Sequence, residues 1–231
     1  EPYRRQRQMC IRDRFNFFCS LILVLSTTIM IVTLGQNLVL RTTAGYTFYF
    51  NDTRVVSKIS GNYTNSEMSQ EIVSFMNSWR PDEFQVYEDT GYDLEGIFDD
   101  KDSDNMLAVK KTADISFVLF LVSAVITVAI YVYFLKNDFK LVLRKRLIFT
   151  SIFTALLFAA EIIMLKTKAG LSFLMSFAGL SSLASDSALK TILGGGFMDT
   201  AGNFLFIYTA VAYVAVLYAT LALTKPPRIF Y

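Results

Sequence analysis

Four long apolar runs, separated by polar stretches of unequal length, set the plan of the chain. The first, FNFFCSLILVLSTTIMIVTLGQNLVL from Phe15 to Leu40, carries no charged residue. The second runs from Ile115 to Leu135 between Asp114 and Lys136, and the third, Leu147 to Leu165, is interrupted only by Glu161. The fourth, Thr200 to Thr224, is closed by Lys225-Pro226-Pro227-Arg228. About 20 consecutive apolar residues in a helix cross the hydrocarbon core of a bilayer. The pattern therefore predicts transmembrane helices at 15–40, 115–135, 147–166 and 200–224. Thr42-Thr43-Ala44 has the small residues of a signal-peptidase site. However, a signal peptide's apolar stretch is about 7–15 residues, shorter than this run, so an uncleaved anchor is expected.

The polar stretches differ in period and charge. Between the first two runs lies a segment, 41–114, of soluble character. Tyr46, Phe48 and Phe50 alternate with Thr47 and Tyr49, which predicts a strand with an aromatic face, paired with Val55–Ile59 after an Asn51-Asp52 turn. A helix follows. Thr64 and Glu67 have capping-box spacing, Met68, Ile72, Phe75, Met76 and Trp79 fall on one face, and Pro81 stops it, which assigns Trp79 to the core. From Asp82 to Asp104 the chain is strongly acidic, with Phe84, Val86, Tyr87, Leu94, Ile97 and Phe98 interleaved as in folded structure rather than a tail. The short loop 136–146 carries Lys136, Lys140, Arg144, Lys145 and Arg146 against Asp138 alone. Positive charge marks cytoplasmic loops, so this loop and the tail 225–231 are expected inside, with 41–114 and the loop 167–199 outside. Leu171 to Leu183 is apolar but rich in Ser and Gly, and is expected to lie along the interface or re-enter. The expected fold class is an all-α membrane protein of four transmembrane helices, with a small extracellular α+β cap between spans one and two.

Composition agrees with this class and narrows the chemistry. Of 231 residues, 53% are hydrophobic and only 18% charged, against about a quarter charged in soluble domains. Histidine is absent, which removes the commonest general base near neutral pH and the commonest metal ligand. Arg4 to Asp13, RRQRQMCIRD, resembles one reading frame of a transposon-end adapter used in DNA library preparation, so residues 1–14 are expected to be non-native. Without them the formal charge of +2 falls to about zero and no basic surface for nucleic acid remains. Cys19 is then the one native thiol, expected buried and inert inside the first span, and the segment 41–114 has no cysteine for a disulfide.

Few residues offer chemistry. Asp100-x-Asp102-x-Asp104 opens like a calcium loop, but Asn105 stands where such a loop needs Gly and Lys111 where it needs Glu. A solvated acidic turn is expected instead, and neither a metal nor a cofactor. Glu161, ionisable within a span, is a functional candidate by its position and a candidate general base, with an ion pair to Lys166 or Lys168 as the alternative. Gly194-Gly195-Gly196 could bring backbone N–H groups to a lipid headgroup or act as a flexible turn, and Asp199 would favour the positive end of the fourth helix.

The order of these features resembles the bacterial lipoprotein intramolecular transacylase family of four-span membrane proteins. The likeness covers most of the chain after residue 15. The stretch Asn105-Met106-Leu107-Ala108-Val109-Lys110, after Gly96-Ile97-Phe98, is similar to the family's His-Met-x-Asp-Val-Lys pattern before the second span. Leu189-Lys190-Thr191-Ile192-Leu193 and Phe197-Met198-Asp199-Thr200 are similar to its approach to the last span. The resemblance implies transfer of an acyl chain from the diacylglyceryl group of a lipoprotein's N-terminal cysteine to that cysteine's amine, with histidine bases. Here Asn105 takes the first histidine's place, Ala108 replaces the motif's Asp, and the second outer loop has no histidine. Asparagine can hold a geometry or donate to an oxyanion but is no base near neutral pH. The expected function is therefore a divergent or non-catalytic relative that binds membrane lipid or diacylglyceryl lipoproteins. The alternative is an acyltransferase in which Glu161, Asp104 or Asp199 serves as base. A channel is disfavoured, because the spans offer only one charge of buried character.

Overall fold

The computed structural model describes residues 2–79, 83–89, 94–170, 172 and 187–225. Pro81, expected to stop a helix, the Leu171–Leu183 stretch apart from Ser172, and the tail beyond Lys225 lie outside the described residues. In order, the elements are α1 (Pro2–Arg41), α2 (Thr43–Thr53), α3 (Val56–Ile59), α4 (Asn65–Asn77), β1 (Tyr87–Asp89), β2 (Leu94–Gly96), α5 (Asp100–Lys136), α6 (Lys140–Lys166), α7 (Ala188–Leu193) and α8 (Gly195–Leu223). Four helical stretches are long and apolar enough to cross a membrane: Arg14–Arg41, Asp100–Lys136, Lys140–Lys166 and Ala188–Leu223. The chain is thus an all-α multi-pass membrane protein in its main architecture. It divides into two compact units, one of Glu1–Leu34, Val118–Phe158 and Thr209–Tyr231, the other of Gly35–Phe117 and Ala159–Tyr208.

The first unit is a bundle of α1, α5, α6 and α8 joined by hydroxyl groups. Lipid is as apolar as leucine, so helices in a bilayer associate through close packing and side-chain hydrogen bonds. Thr127 donates to Ser26 (3.0 Å) between α5 and α1, and Tyr131 pairs with Thr220 (2.7 Å) between α5 and α8. Ser151 meets Tyr213 (2.5 Å), and the Arg144 guanidinium donates to Thr224 (3.0 Å), both between α6 and α8. Leu23, Phe134 and Leu143 form a buried apolar cluster, against which Cys19 packs half-buried rather than fully buried as expected. Val118, Val125, Leu156, Val211 and Tyr218 point outward, as lipid-facing side chains do. The α5–α6 turn is tight: Asp138 takes a positive φ of 58°, and the Phe139 N–H returns to the Phe134 carbonyl.

The second unit holds the segment between the first two spans. Its helix α4 begins with the expected capping box: Thr64 accepts from the Glu67 N–H, and Glu67 accepts from the Thr64 N–H (2.9 Å). Those bonds hold the Glu67 carboxyl below its ordinary range. Met68, Ile72, Phe75 and Met76 are buried on the α4 stripe. Trp79 is not. The helix ends at Asn77, Ser78 turns extended (ψ 139°), and Trp79 is 100% exposed. The cause is local: the Ser78 hydroxyl and N–H both donate to the Phe75 carbonyl, closing the helix before Trp79 can join the stripe.

The strand expected at 46–50 is instead the helix α2, and Val55–Ile59 supplies the short helix α3 rather than a partner strand. Tyr46, Tyr49 and Phe50 are buried together while Phe48 is exposed, which is a helical face and not an alternating one. α2 packs on α4. β structure appears later, where β1 and β2 pair antiparallel with Tyr87 opposite Gly96 and Asp89 opposite Leu94. The Glu88 carboxylate accepts from the Gly61 and Asn62 N–H groups (3.0 and 3.1 Å), tying this ribbon to the turn before α4. Beneath it, Phe84 lies between Phe75 and Phe98, with ring centroids 5.0 and 4.8 Å apart.

Candidate functional site

The head of α5 carries the motif that the sequence singles out, and its side chains alternate between commitment and exposure. Asp102, Asn105, Met106 and Lys110 are buried, whereas Asp100 and Asp104 are exposed. Asp100-x-Asp102-x-Asp104 therefore occupies the opening turns of a helix, facing different ways, and not a loop. The Asp102 carboxylate accepts from the Ser187 hydroxyl (2.5 Å) and from the Leu189 N–H (3.3 Å). Ser187 in turn caps α7 by accepting from the Lys190 N–H (3.3 Å). A buried carboxylate on α5 thus fixes the start of the helix that leads to the last span. Lys110, 3% exposed, donates to the Phe75 carbonyl (2.9 Å) and to the Ser78 hydroxyl, and its ammonium lies 4.7 Å from the Phe75 ring centroid. It pins the end of α4 to α5.

The other wall of this region is aromatic. Tyr46 stacks on Phe197 at 4.8 Å and 12°, and Tyr49 meets the same ring edge-on at 5.8 Å. Burial pushes the Tyr46 phenol well above its ordinary range, and its hydroxyl donates to the Leu40 carbonyl (3.2 Å). The glycines before the last span serve this packing. Gly194 ends α7, and a Cβ on Gly196 would sit 3.0 Å from the Tyr49 hydroxyl and 3.1 Å from its ring. Close approach of Tyr49, rather than a flexible turn, is what Gly196 provides.

Glu161 stands in a chain of hydrogen bonds that links three spans. The Arg41 guanidinium donates to Asn37 Oδ1 (3.1 Å), Asn37 donates to Ser116 (3.2 Å), Ser116 donates to Gln36 (2.9 Å), and Gln36 donates to Glu161 Oε1. Every donor points the same way, from the guanidinium to the carboxylate, so each bond polarises the next. Glu161 Oε2 is buried and meets no hydrogen-bond partner among the described residues. The alternative, an ion pair from Glu161 to Lys166 or Lys168, is not found among the described residues, where Glu161 is bonded to Gln36. Lys166 instead bonds Asp199 (2.6 Å), both side chains exposed. Asp199 itself lies beyond the first turn of α8, which holds no acid.

Of the candidate residues, Asn105 and Asp104 share the head of α5, one buried and one exposed, while Glu161 is bonded to Gln36 and Asp199 to Lys166. Gln36, Asn37 and Ser116 carry polar connections that spacing alone does not reveal, and Asp102, expected in a solvated acidic turn, is instead buried and bonded. Gln36-Asn37 in an uncharged apolar run was the signal available, since polar groups within a span need partners.

Four apolar spans, with a polar network at one end and a motif helix held against the approach to the last span, define a helical integral membrane protein. Its fold is that of a lipoprotein intramolecular transacylase. Three solved in meso structures of the membrane integral transacylase Lit from Bacillus cereus match it. A variant with one histidine changed to arginine gives a TM-score of 0.72 at 13% identity, over 95% of this chain and 96% of that one. A second structure gives 0.69 at 14% identity, over 94% of this chain and 100% of that one. A variant with the histidine changed to alanine gives 0.73 at 13% identity, over 96% and 100%. No protein-family model and no curated protein matches the chain by sequence.

Proposed function

We propose that this protein binds diacylglyceryl lipoproteins or the equivalent membrane lipids in the outer leaflet and does not transfer their acyl chains. In this reading it lies in the plasma membrane with both termini in the cytoplasm, and 41–114 forms an extracellular α+β cap. The observation that carries the proposal is Asn105, buried where the family motif would place its first histidine, in a chain with no histidine at all. An amide there can orient or donate to a carbonyl but cannot take the proton from an attacking amine. Asp102, a buried carboxylate three residues earlier on α5, is engaged by Ser187 and Leu189. A shared fold with a changed site supports shared recognition more than shared chemistry.

Binding is testable with a short synthetic lipopeptide bearing diacylglyceryl-cysteine. With the purified chain in detergent, native mass spectrometry is expected to show a saturable complex with this peptide and none with its unacylated counterpart. Equal retention of both peptides contradicts the proposal.

A second reading, acyl transfer with a carboxylate base, draws on one observation, the Oε2 of Glu161 that has no partner among the described residues. Asp104 and Asp199 are exposed, and Asp199 is already paired, so Glu161 is the member of that set with a desolvated oxygen to offer.

A further inference from the structure

Trp79 is the chain's one tryptophan, and its side chain is fully exposed on an otherwise well-packed segment. Its height relative to the spans follows from its neighbours. The first apolar run ends at Arg41 and the second begins after Asp114, and these two residues form a salt bridge of 2.5 Å. That bridge puts the boundaries of the two spans at one depth. The end of α4 is tied to the same boundary. The Arg41 guanidinium donates to the Met76 carbonyl (2.7 Å), and the Asn77 amide donates back to the Arg41 carbonyl (3.2 Å). Arg41 also lies over the Phe117 ring, 5.1 Å from its centroid, and Ile115 is 63% exposed.

Trp79 is two residues past Asn77, and two residues of chain reach at most about 7 Å. The headgroup layer between hydrocarbon and water is about 5–8 Å thick on each side. A tryptophan held within that distance of a span boundary lies in the layer where its apolar ring and polar N–H are both satisfied. Facing water, the indole would keep a partner for its N–H but leave its large apolar ring solvated.

We propose that Trp79 is an interfacial anchor: it inserts into the lipid headgroup layer bordering spans one and two and seats the segment 41–114 on the bilayer surface. The partner of this face is lipid, not protein. The Arg41–Asp114–Asn77 cluster sets the depth at which the indole enters.

As the only tryptophan, it reports on itself. The full chain is reconstituted into phosphatidylcholine–phosphatidylglycerol vesicles, and fluorescence is excited selectively in tryptophan, with Trp79→Phe as the blank. The expected emission is blue-shifted from that of tryptophan in water. It should be quenched by lipids brominated near the headgroup end of the acyl chain more than by lipids brominated near the chain terminus. Emission at the water wavelength, open to acrylamide and unaffected by either brominated lipid, overturns the proposal. So does emission shielded from both kinds of quencher, which would mean that protein covers the indole. Arg41→Gln, which removes the salt bridge to Asp114 and the guanidinium's bond to the Met76 carbonyl, is expected to weaken the shallow quenching; unchanged quenching would show that the guanidinium does not set the depth.

Discussion

Phe197→Ala is expected to destabilise the second unit by about 3–5 kcal/mol, the range for truncating a buried phenylalanine to alanine. Phe197 is 2% exposed, with Tyr46 stacked on one face and Tyr49 against its edge, and offset or edge-on aromatic pairs add about 0.5–1.5 kcal/mol beyond burial. Two helices meet on this ring, α2 after the first span and α8 at the start of the last. The cavity cannot close easily, because Gly196 already brings Tyr49 to within contact of the backbone. Thermal unfolding in detergent checks this: Phe197→Ala should melt well below the parent, and Phe197→Leu should recover most of the difference. A Phe197→Ala melt equal to the parent would show that this aromatic cluster does not hold α2 to α8.

Asp102→Ala is the second large effect, about 3 kcal/mol, because hydrogen bonds to an ionised group are each worth about 1.5–3 kcal/mol. The substitution leaves the Leu189 N–H without its acceptor and the Ser187 hydroxyl without the group it donates to, both at the start of α7. Ser187 can still cap through the Lys190 N–H, so the helix should fray rather than vanish. Asp102→Asn keeps one acceptor oxygen and should cost roughly half as much. Limited proteolysis resolves the local effect from the global one. Faster cleavage near residues 187–193 with a modest change in melting is expected for Asp102→Ala. A parent-like cleavage pattern would mean that the buried carboxylate does not anchor α7.

The spans were plain in the sequence because a bilayer demands long uncharged helices, and little else satisfies that demand. The capping box was equally legible, being a local motif that closes on itself. Two readings failed for identifiable reasons. The run Tyr46-Thr47-Phe48-Tyr49-Phe50 fits both periods, since positions 46 and 50 lie on one face of a strand and of a helix alike. Only the burial of Tyr49 with exposure of Phe48 separates them, and that is a tertiary fact. Trp79 fitted the α4 stripe by spacing, but Ser78 closed the helix one residue short of it. The candidate site was legible as a place, the head of α5, but its wiring was not. Asp102 reaches Ser187 across 85 residues and Gln36 reaches Glu161 across 125, and no periodicity records such pairs.

The difference between recognising a lipoprotein and remodelling it comes down to one proton. The amine of the lipoprotein's N-terminal cysteine must lose it before attacking the ester, and Asn105 cannot take it. Glu161 offers the competing account, through an oxygen that finds no partner among the described residues. The most direct measurement is mass spectrometry of lipoprotein N-terminal peptides from a bacterium that lacks the transacylase and expresses this chain. Only the diacylglyceryl form is expected, as in the empty strain. Appearance of the lyso, N-acylated form would contradict it, and loss of that form in Glu161→Gln would assign the base to Glu161.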